Sequence, residues 1–125
     1  IRDSNKSEHI IQSEIQVALS SADSCVFRTN AGIFYQGKLV YSKEFGQKVL
    51  INLRPVKGLP KGFSDLIYFG SNGDHAFIEV KKVTGEARTV QERFLKRMRE
   101  LGHKAGIARS VDEARTIIEG LNHDI

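Results

Sequence analysis

The stretch AFIEVKK, Ala76 to Lys82, carries the residues of a strand and a break in its pattern. Phe77, Ile78 and Val80 are aromatic and β-branched types that suit a pleated surface, yet Glu79 and Lys81 place opposite charges at alternate positions. Side chains two apart on a strand share a face and stand about 6.6 Å apart. Glu79 and Lys81 therefore project together, beside Phe77, from a sheet that should be largely covered. Taken alone, an E-x-K pair reads as a solvent-facing ion pair on an edge. The surrounding sequence has to decide.

Immediately upstream, SDLIYF (64–69) reads as another strand, and the Asn72-Gly73 dipeptide between the two is a hairpin signal. If Ser71 to Gly73 form a three-residue loop with Gly73 left-handed, Gly70 pairs with Asp74 and Asp65 lies opposite Glu79. If Asn72-Gly73 is a two-residue turn, Asp65 faces Val80. Either register sets two carboxylates close together. Unless one holds a proton they require a cation between them. A hard divalent ion meets that need, and Mg²⁺ often takes only one or two carboxylates with water and substrate phosphate. Lys81, on the same face, is placed to orient an attacking water and to offset charge building on a phosphate.

The flanking segments supply a frame. Asn5 with Glu8 forms an expected capping box for a helix running to about Ser20. On its wheel, Ile10, Ile11, Ile15, Val17 and Ala18 share one arc, and Glu14 falls inside it at about 40° from Ile10. A carboxylate there is costly unless something holds it. It would serve as a third site carboxylate or pair with a buried arginine. CVFRTNAGIFY (25–35) reads as a strand or hairpin turning near Asn30 to Gly32, VLINLRPV (49–56) as a strand ended by Pro55, and KGLPKGF (57–63) as a loop. Thr89 with Glu92 caps a helix to Leu101, in which Gln91 falls at about 100° from Val90, among Phe94, Leu95 and Met98. An inward glutamine needs a partner for its amide. After Gly102, HKAGIAR is a last strand, and Ser110 with Glu113 caps a final helix closed by Gly120. The order implies one α/β sandwich domain, 1–125, on a mixed β-sheet flanked by helices.

The composition fits: 125 residues, 40% hydrophobic and 27% charged, with a net charge of +4. No apolar run approaches a membrane span, and a lone Cys25 allows no internal disulfide, so a cytoplasmic protein is expected. From Lys81 to Arg109 nine basic residues face three acidic ones, which points to an anionic partner, nucleic acid first. His9, His75, His103 and His123 have no ligand-like spacing and read as surface or loop residues. Each remaining signal has an ordinary explanation: Asp65 starting a strand, Glu14 at a helix edge, Gln91 on a backbone carbonyl. Together those require four separate accidents where one metal site requires one cause.

The ordered set of a glutamate, G-x-S-D-L-I, I-E-V-K and a helical glutamine resembles the PD-(D/E)XK nuclease superfamily. More narrowly, Glu14, FRTNAGIFY, KGFSDLIYF, FIEVKK, TVQERFL and GHKAGIARSVDEA resemble the VRR-NUC (virus-type replication-repair nuclease) family, from about Ser7 to Glu119. The resemblance implies a restriction-endonuclease-like core of bacterial or phage origin. It implies Mg²⁺- or Mn²⁺-dependent hydrolysis of DNA phosphodiesters, with branched DNA such as Holliday junctions as substrate and a homodimer as the acting unit. By position it assigns Glu14, Asp65, Glu79 and the Val80 carbonyl as metal ligands, Lys81 as the catalytic lysine and Gln91 as support for the site. Arg28 and Asn30 match a family signature and would position Glu14 or the phosphate. Lys57, Lys61, Lys82, Arg88 and Arg93 are expected to contact the DNA backbone. Ser64 stands where the superfamily motif has proline, an exchange expected to loosen the start of the strand. The alternatives are a non-catalytic module that binds DNA junctions with the same fold, and a nuclease directed at RNA.

Overall fold

The hairpin takes the three-residue form. In the computed structural model, which describes residues 5–29 and 31–120, Asn72 and Gly73 have φ of 58° and 79°, and the Gly70 amide donates to the Asp74 carbonyl at 2.8 Å. Strands β4 (Leu66–Phe69) and β5 (His75–Val80) pair antiparallel, with Leu66 opposite Ile78 and Phe69 opposite His75. Extended by one position, this register sets Asp65 against Glu79. Asn30 and His123, both singled out in the sequence, lie outside the described residues.

Around this pair the main sheet runs β1-β4-β5-β6, with β1 (Cys25–Arg28) antiparallel on β4 and β6 (Lys104–Ala108) parallel to β5. The β5–β6 crossover is helix α2 (Thr89–Glu100); helices α1 (Glu8–Leu19) and α3 (Val111–Ile118) complete the layers. Alternation along β5 explains the layering. Ala76, Ile78 and Val80 point into the core built with Ile11, Ile15 and Leu19 of α1 and Ala114 and Ile117 of α3. His75, Phe77 and Glu79 point the other way. Phe77 meets Phe63 and Phe94 edge-on at 5.8 and 5.6 Å between ring centroids, so α2 lies on that side. The expected mixed sheet flanked by helices is what forms.

Several boundaries differ from expectation. The first helix is capped by Ser7, whose hydroxyl accepts from the Ile10 amide at 3.2 Å, rather than by Asn5. Its covered face is Ile11, Ile15 and Leu19, while Ile10 and Val17 are 47% and 79% exposed. The apolar arc on the wheel was therefore wider than the face the core covers, and Glu14 sits with Ile10 and Val17 at i, i+4 and i+7 on its outer edge. CVFRTNAGIFY is not a hairpin on itself: CVFR is β1, and IFY begins β2 (Ile33–Ser42), which pairs with β3 (Gln47–Lys57) in a separate two-stranded sheet. VLINLRPV thus belongs to this second sheet.

Candidate active site

Each site residue is placed by a local rule of its element. Asp65 ends the segment before β4, and its Oδ2 accepts the Val80 amide at 2.8 Å. Its own carbonyl accepts the Thr29 amide at 2.9 Å, which ties β1 to the site. Ser64 does not loosen this point. It is fully buried, its hydroxyl donates to the Leu66 carbonyl at 3.1 Å, and its carbonyl accepts the Thr29 hydroxyl. Side-chain hydrogen bonds do here what the fixed φ of proline would do elsewhere.

Gln91 has the partner its inward position demands, and a second one. Its Oε1 accepts the Arg88 amide at 2.8 Å, so the residue closing the first turn of α2 is Gln91 with Arg88 at the N-cap, one position earlier than the Thr89–Glu92 box. Its Nε2 donates to Glu79 Oε2 at 2.7 Å. A single amide thus caps the helix and holds the carboxylate, which fixes both the O/N orientation of Gln91 and the rotamer of Glu79.

Glu79 is 1% exposed, and its other oxygen, Oε1, is buried with no hydrogen-bond partner. Burial, then the adjacent Asp65 charge and the contact between the two carboxyl groups, push its pKa up from 4.5 to about 8. Lys81 pulls the other way, with its Nζ 3.8 Å from Glu79 Oε2. Lys81 is itself only 7% exposed, so both ions sit where water screens them little. Ordinary surface pairing does not account for a buried acid with an orphaned oxygen beside a second acid and a buried amine.

The structure brings Asp65, Glu79, Lys81, Gln91 and the buried Val80 together, but not Glu14. The Glu14 side chain is 40% exposed and pairs with Lys6 at 2.8 Å. The α1 acid whose charge reaches Glu79 is Glu8, in the helix's first turn, adding a smaller repulsion. Sequence reading assigned Glu8 to a cap. Ser7 in the N-cap position was the signal that places it at the start of the helix. Arg28 also departs from expectation: its guanidinium donates to Gln16 Oε1 at 2.7 Å and Ser13 Oγ at 2.9 Å and meets His9 Nδ1 at 3.2 Å, all on α1. It therefore pins β1 to the polar side of α1 rather than touching Glu14. His75 and His103 are not plain surface residues: they are half-buried and hydrogen-bonded to each other at 2.9 Å beside Phe77.

A cleft of about 420 Å³ opens onto the site, with Thr29, Phe34, Lys61, Asp65, Arg88 and Gln91 among its walls. Of the expected DNA contacts, Lys61 and Arg88 line it, while Lys57, Lys82 and Arg93 are exposed elsewhere. Gly62, buried at φ +90°, packs so closely on α2 that an added Cβ would lie 2.6 Å from the Val90 carbonyl oxygen. That close approach seats the lysine-bearing loop against the turn that carries Gln91.

A mixed α/β sheet that sets an aspartate at the start of one strand beside E-x-K at the end of the next, with a glutamine from the crossover helix, is the core of a PD-(D/E)XK nuclease. The VRR-NUC domain model matches residues 40–112, and the chain belongs to that family, which implies nuclease activity with DNA as substrate. The matched span contains Asp65, Glu79, Lys81 and Gln91; α1 and Arg28 lie before it. No curated protein and no solved structure matches the chain.

Proposed function

We propose that the protein is a divalent-metal-dependent endonuclease that hydrolyses phosphodiester bonds of branched DNA, with two copies acting together. The observation that carries this reading is Glu79. Its Oε1 is buried and unpartnered, its Oε2 is locked by Gln91, and its charge is opposed by Asp65. Without a cation the pair must keep a proton near neutral pH; with one, both carboxylates are satisfied. Among the described residues no third His, Cys, Asp or Glu joins them in a metal-holding group. Two carboxylates suit Mg²⁺ or Mn²⁺, which fill their remaining positions with water and phosphate oxygens.

Asp65 and Glu79 would hold the ion together with the Val80 carbonyl, and Glu8 adds negative charge that draws it in. When bound, such an ion supplies Lewis acidity toward a phosphoryl oxygen and makes water nucleophilic at neutral pH. The chain's own residues do the rest. Lys81 presents a poorly screened ammonium where charge develops on the scissile phosphate. Gln91 keeps Glu79 from swinging, and the Val80 amide keeps Asp65 from swinging. Lys61 and Arg88 receive the backbone at the cleft, with Lys57, Lys82 and Arg93 extending the basic track. Arg28, engaged by α1, takes no part in this contact.

The test is cleavage of labelled duplex, flap and four-way-junction DNA, and of the same shapes in RNA, with Mg²⁺, Mn²⁺ or EDTA. The expected result is metal-dependent cutting of DNA with a preference for branches. Cutting in EDTA would overturn the metal role, cutting of RNA alone would overturn the substrate, and junction binding without any cutting would identify a non-catalytic module.

A further inference from the structure

One aromatic ring of the cleft is left without a task. Phe34 lines the same cleft as Asp65, Lys61, Arg88 and Gln91. Its side chain is 42% exposed and meets no other aromatic ring among the described residues. Phe63, the other phenylalanine of the cleft wall, is by contrast packed against Phe77 and Phe94, with centroids 5.8 and 4.5 Å away. A single phenylalanine exposed on an outer surface needs no explanation. Phe34 instead stands in a wall whose remaining chemistry is charged or polar, beside the carboxylate that the reaction uses.

The ring is held there by the backbone. Phe34 is the second residue of β2, opposite Val56 at the root of the hairpin. Two residues earlier the chain is tied to the lysine-bearing loop in both directions: the Gly32 amide donates to the Leu59 carbonyl, and the Gly58 amide donates to the Gly32 carbonyl, each at 2.9 Å. An aromatic side chain on so fixed a backbone gives up little freedom when a ligand covers it. Ala31 and Gly32 also line the cleft, and a Cβ added to Gly32 would meet nothing within 4 Å. The space beside the ring is therefore open to a flat group.

The cations decide which flat group. Lys61 and Arg88 come to the cleft from two different segments, and neither pairs with a carboxylate among the described residues. They suit phosphate, and the bare ring suits the π-face of a base, the two ends of one nucleotide. A volume of about 420 Å³ lies at the small end of ligand sites and admits a single nucleotide rather than a length of duplex. In a paired duplex each base is covered by its neighbours in the stack, so only a nucleotide that has left the stack can lay its base on the ring.

We propose that Phe34 is a stacking platform for one unpaired base next to the scissile phosphate, and that it gives the site its preference for DNA whose pairing is interrupted. The stacking site stands on the cleft itself; its place beside the cut rests on the nuclease reading. The consequence is specific. One unpaired nucleotide in linear DNA should suffice for recognition, without a branch.

Three linear duplexes of one sequence test this: fully paired, with one unpaired nucleotide, and with that nucleotide made abasic, which keeps its phosphate and removes its base. Binding is measured by fluorescence anisotropy in EDTA and cleavage on gels in Mg²⁺ or Mn²⁺. The native chain should bind the unpaired base about 5- to 150-fold more tightly than the abasic site, the usual range for one stacked base. This ratio should fall below about twofold in Phe34→Ala and persist in Phe34→Tyr, which keeps a ring. Thermal melting confirms that both variants are folded, and the native comparison needs no variant. A native ratio near one, a ratio that survives Phe34→Ala, or one lost in Phe34→Tyr would each overturn the proposal. Base-dependent binding in EDTA with no cutting in either metal would uphold the stacking site and remove the nuclease reading. Metal-dependent cutting that ignores the base would do the reverse.

Discussion

Replacing Glu79 by glutamine keeps the shape of a fully buried side chain and removes its charge, which isolates the electrostatic cost of the site. In the absence of metal the Glu79 pKa rises from 4.5 to about 8 through burial and the Asp65 charge. At ~1.4 kcal/mol per pH unit, that rise sets a ceiling of about 5 kcal/mol on the cost of ionising Glu79 in the fold. The sign follows from linkage: an acid whose folded pKa is raised contributes its full stability below 4.5 and loses it as pH climbs through about 8. The glutamine variant has no such loss, and its amide can donate to Asp65. In EDTA, the native chain and Glu79→Gln should melt at similar temperatures near pH 5. By pH 9 the variant should be the more stable by a few kcal/mol, on the order of 10 °C. Mg²⁺ at pH 8 should raise the melting temperature of the native chain and leave the variant's unchanged. Differential scanning calorimetry from pH 5 to 9 provides the curves. Parallel curves for the two proteins would refute the strained carboxylate pair.

Four further outcomes follow from the same geometry. Lys81→Ala should reduce cleavage by about 100-fold or more in single-turnover assays, with DNA affinity in EDTA unchanged because the lysine is buried beside Glu79. Gln91→Ala removes hydrogen bonds to both Glu79 and the Arg88 amide, so it should cost about 1–3 kcal/mol in chemical denaturation and slow cleavage as well. Glu14→Ala should leave the cleavage rate within about twofold, since its partner is Lys6 in the exposed range where ion pairs are weak. Glu8→Ala should raise the Mg²⁺ concentration needed for half-maximal cleavage by removing charge that reaches Glu79.

The centre of the fold was legible because strong local signals converged on it. Asn72-Gly73 marks a short loop, and counting back from either form of it sets Asp65 opposite Glu79 or the adjacent Val80; the structure takes the first. Gln91 was legible because a polar residue inside a helix's apolar stripe must have a partner. Glu14 and Arg28 were not, for a physical reason. A helical wheel gives angles between side chains but not which part of an apolar arc the sheet covers, and here the cover falls on Ile11, Ile15 and Leu19, leaving Ile10, Glu14 and Val17 outside. The partners of Arg28 are Gln16, Ser13 and His9, 12 to 19 residues away, a contact that depends on how α1 crosses β1. The length of the β2–β3 arm was hidden because period-two reading requires one wet face, and Leu39, Val40, Val49, Leu50 and Ile51 supply apolar groups to both.

The central claim is that Asp65 and Glu79 are brought together to share a hard dication. The most direct measurement is anomalous scattering from a crystal soaked in Mn²⁺ near pH 8. The account predicts a manganese peak bounded by the carboxylates of Asp65 and Glu79, with Lys81 adjacent. A soaked crystal whose two carboxylates keep a shared proton, with no ion between them, would contradict it.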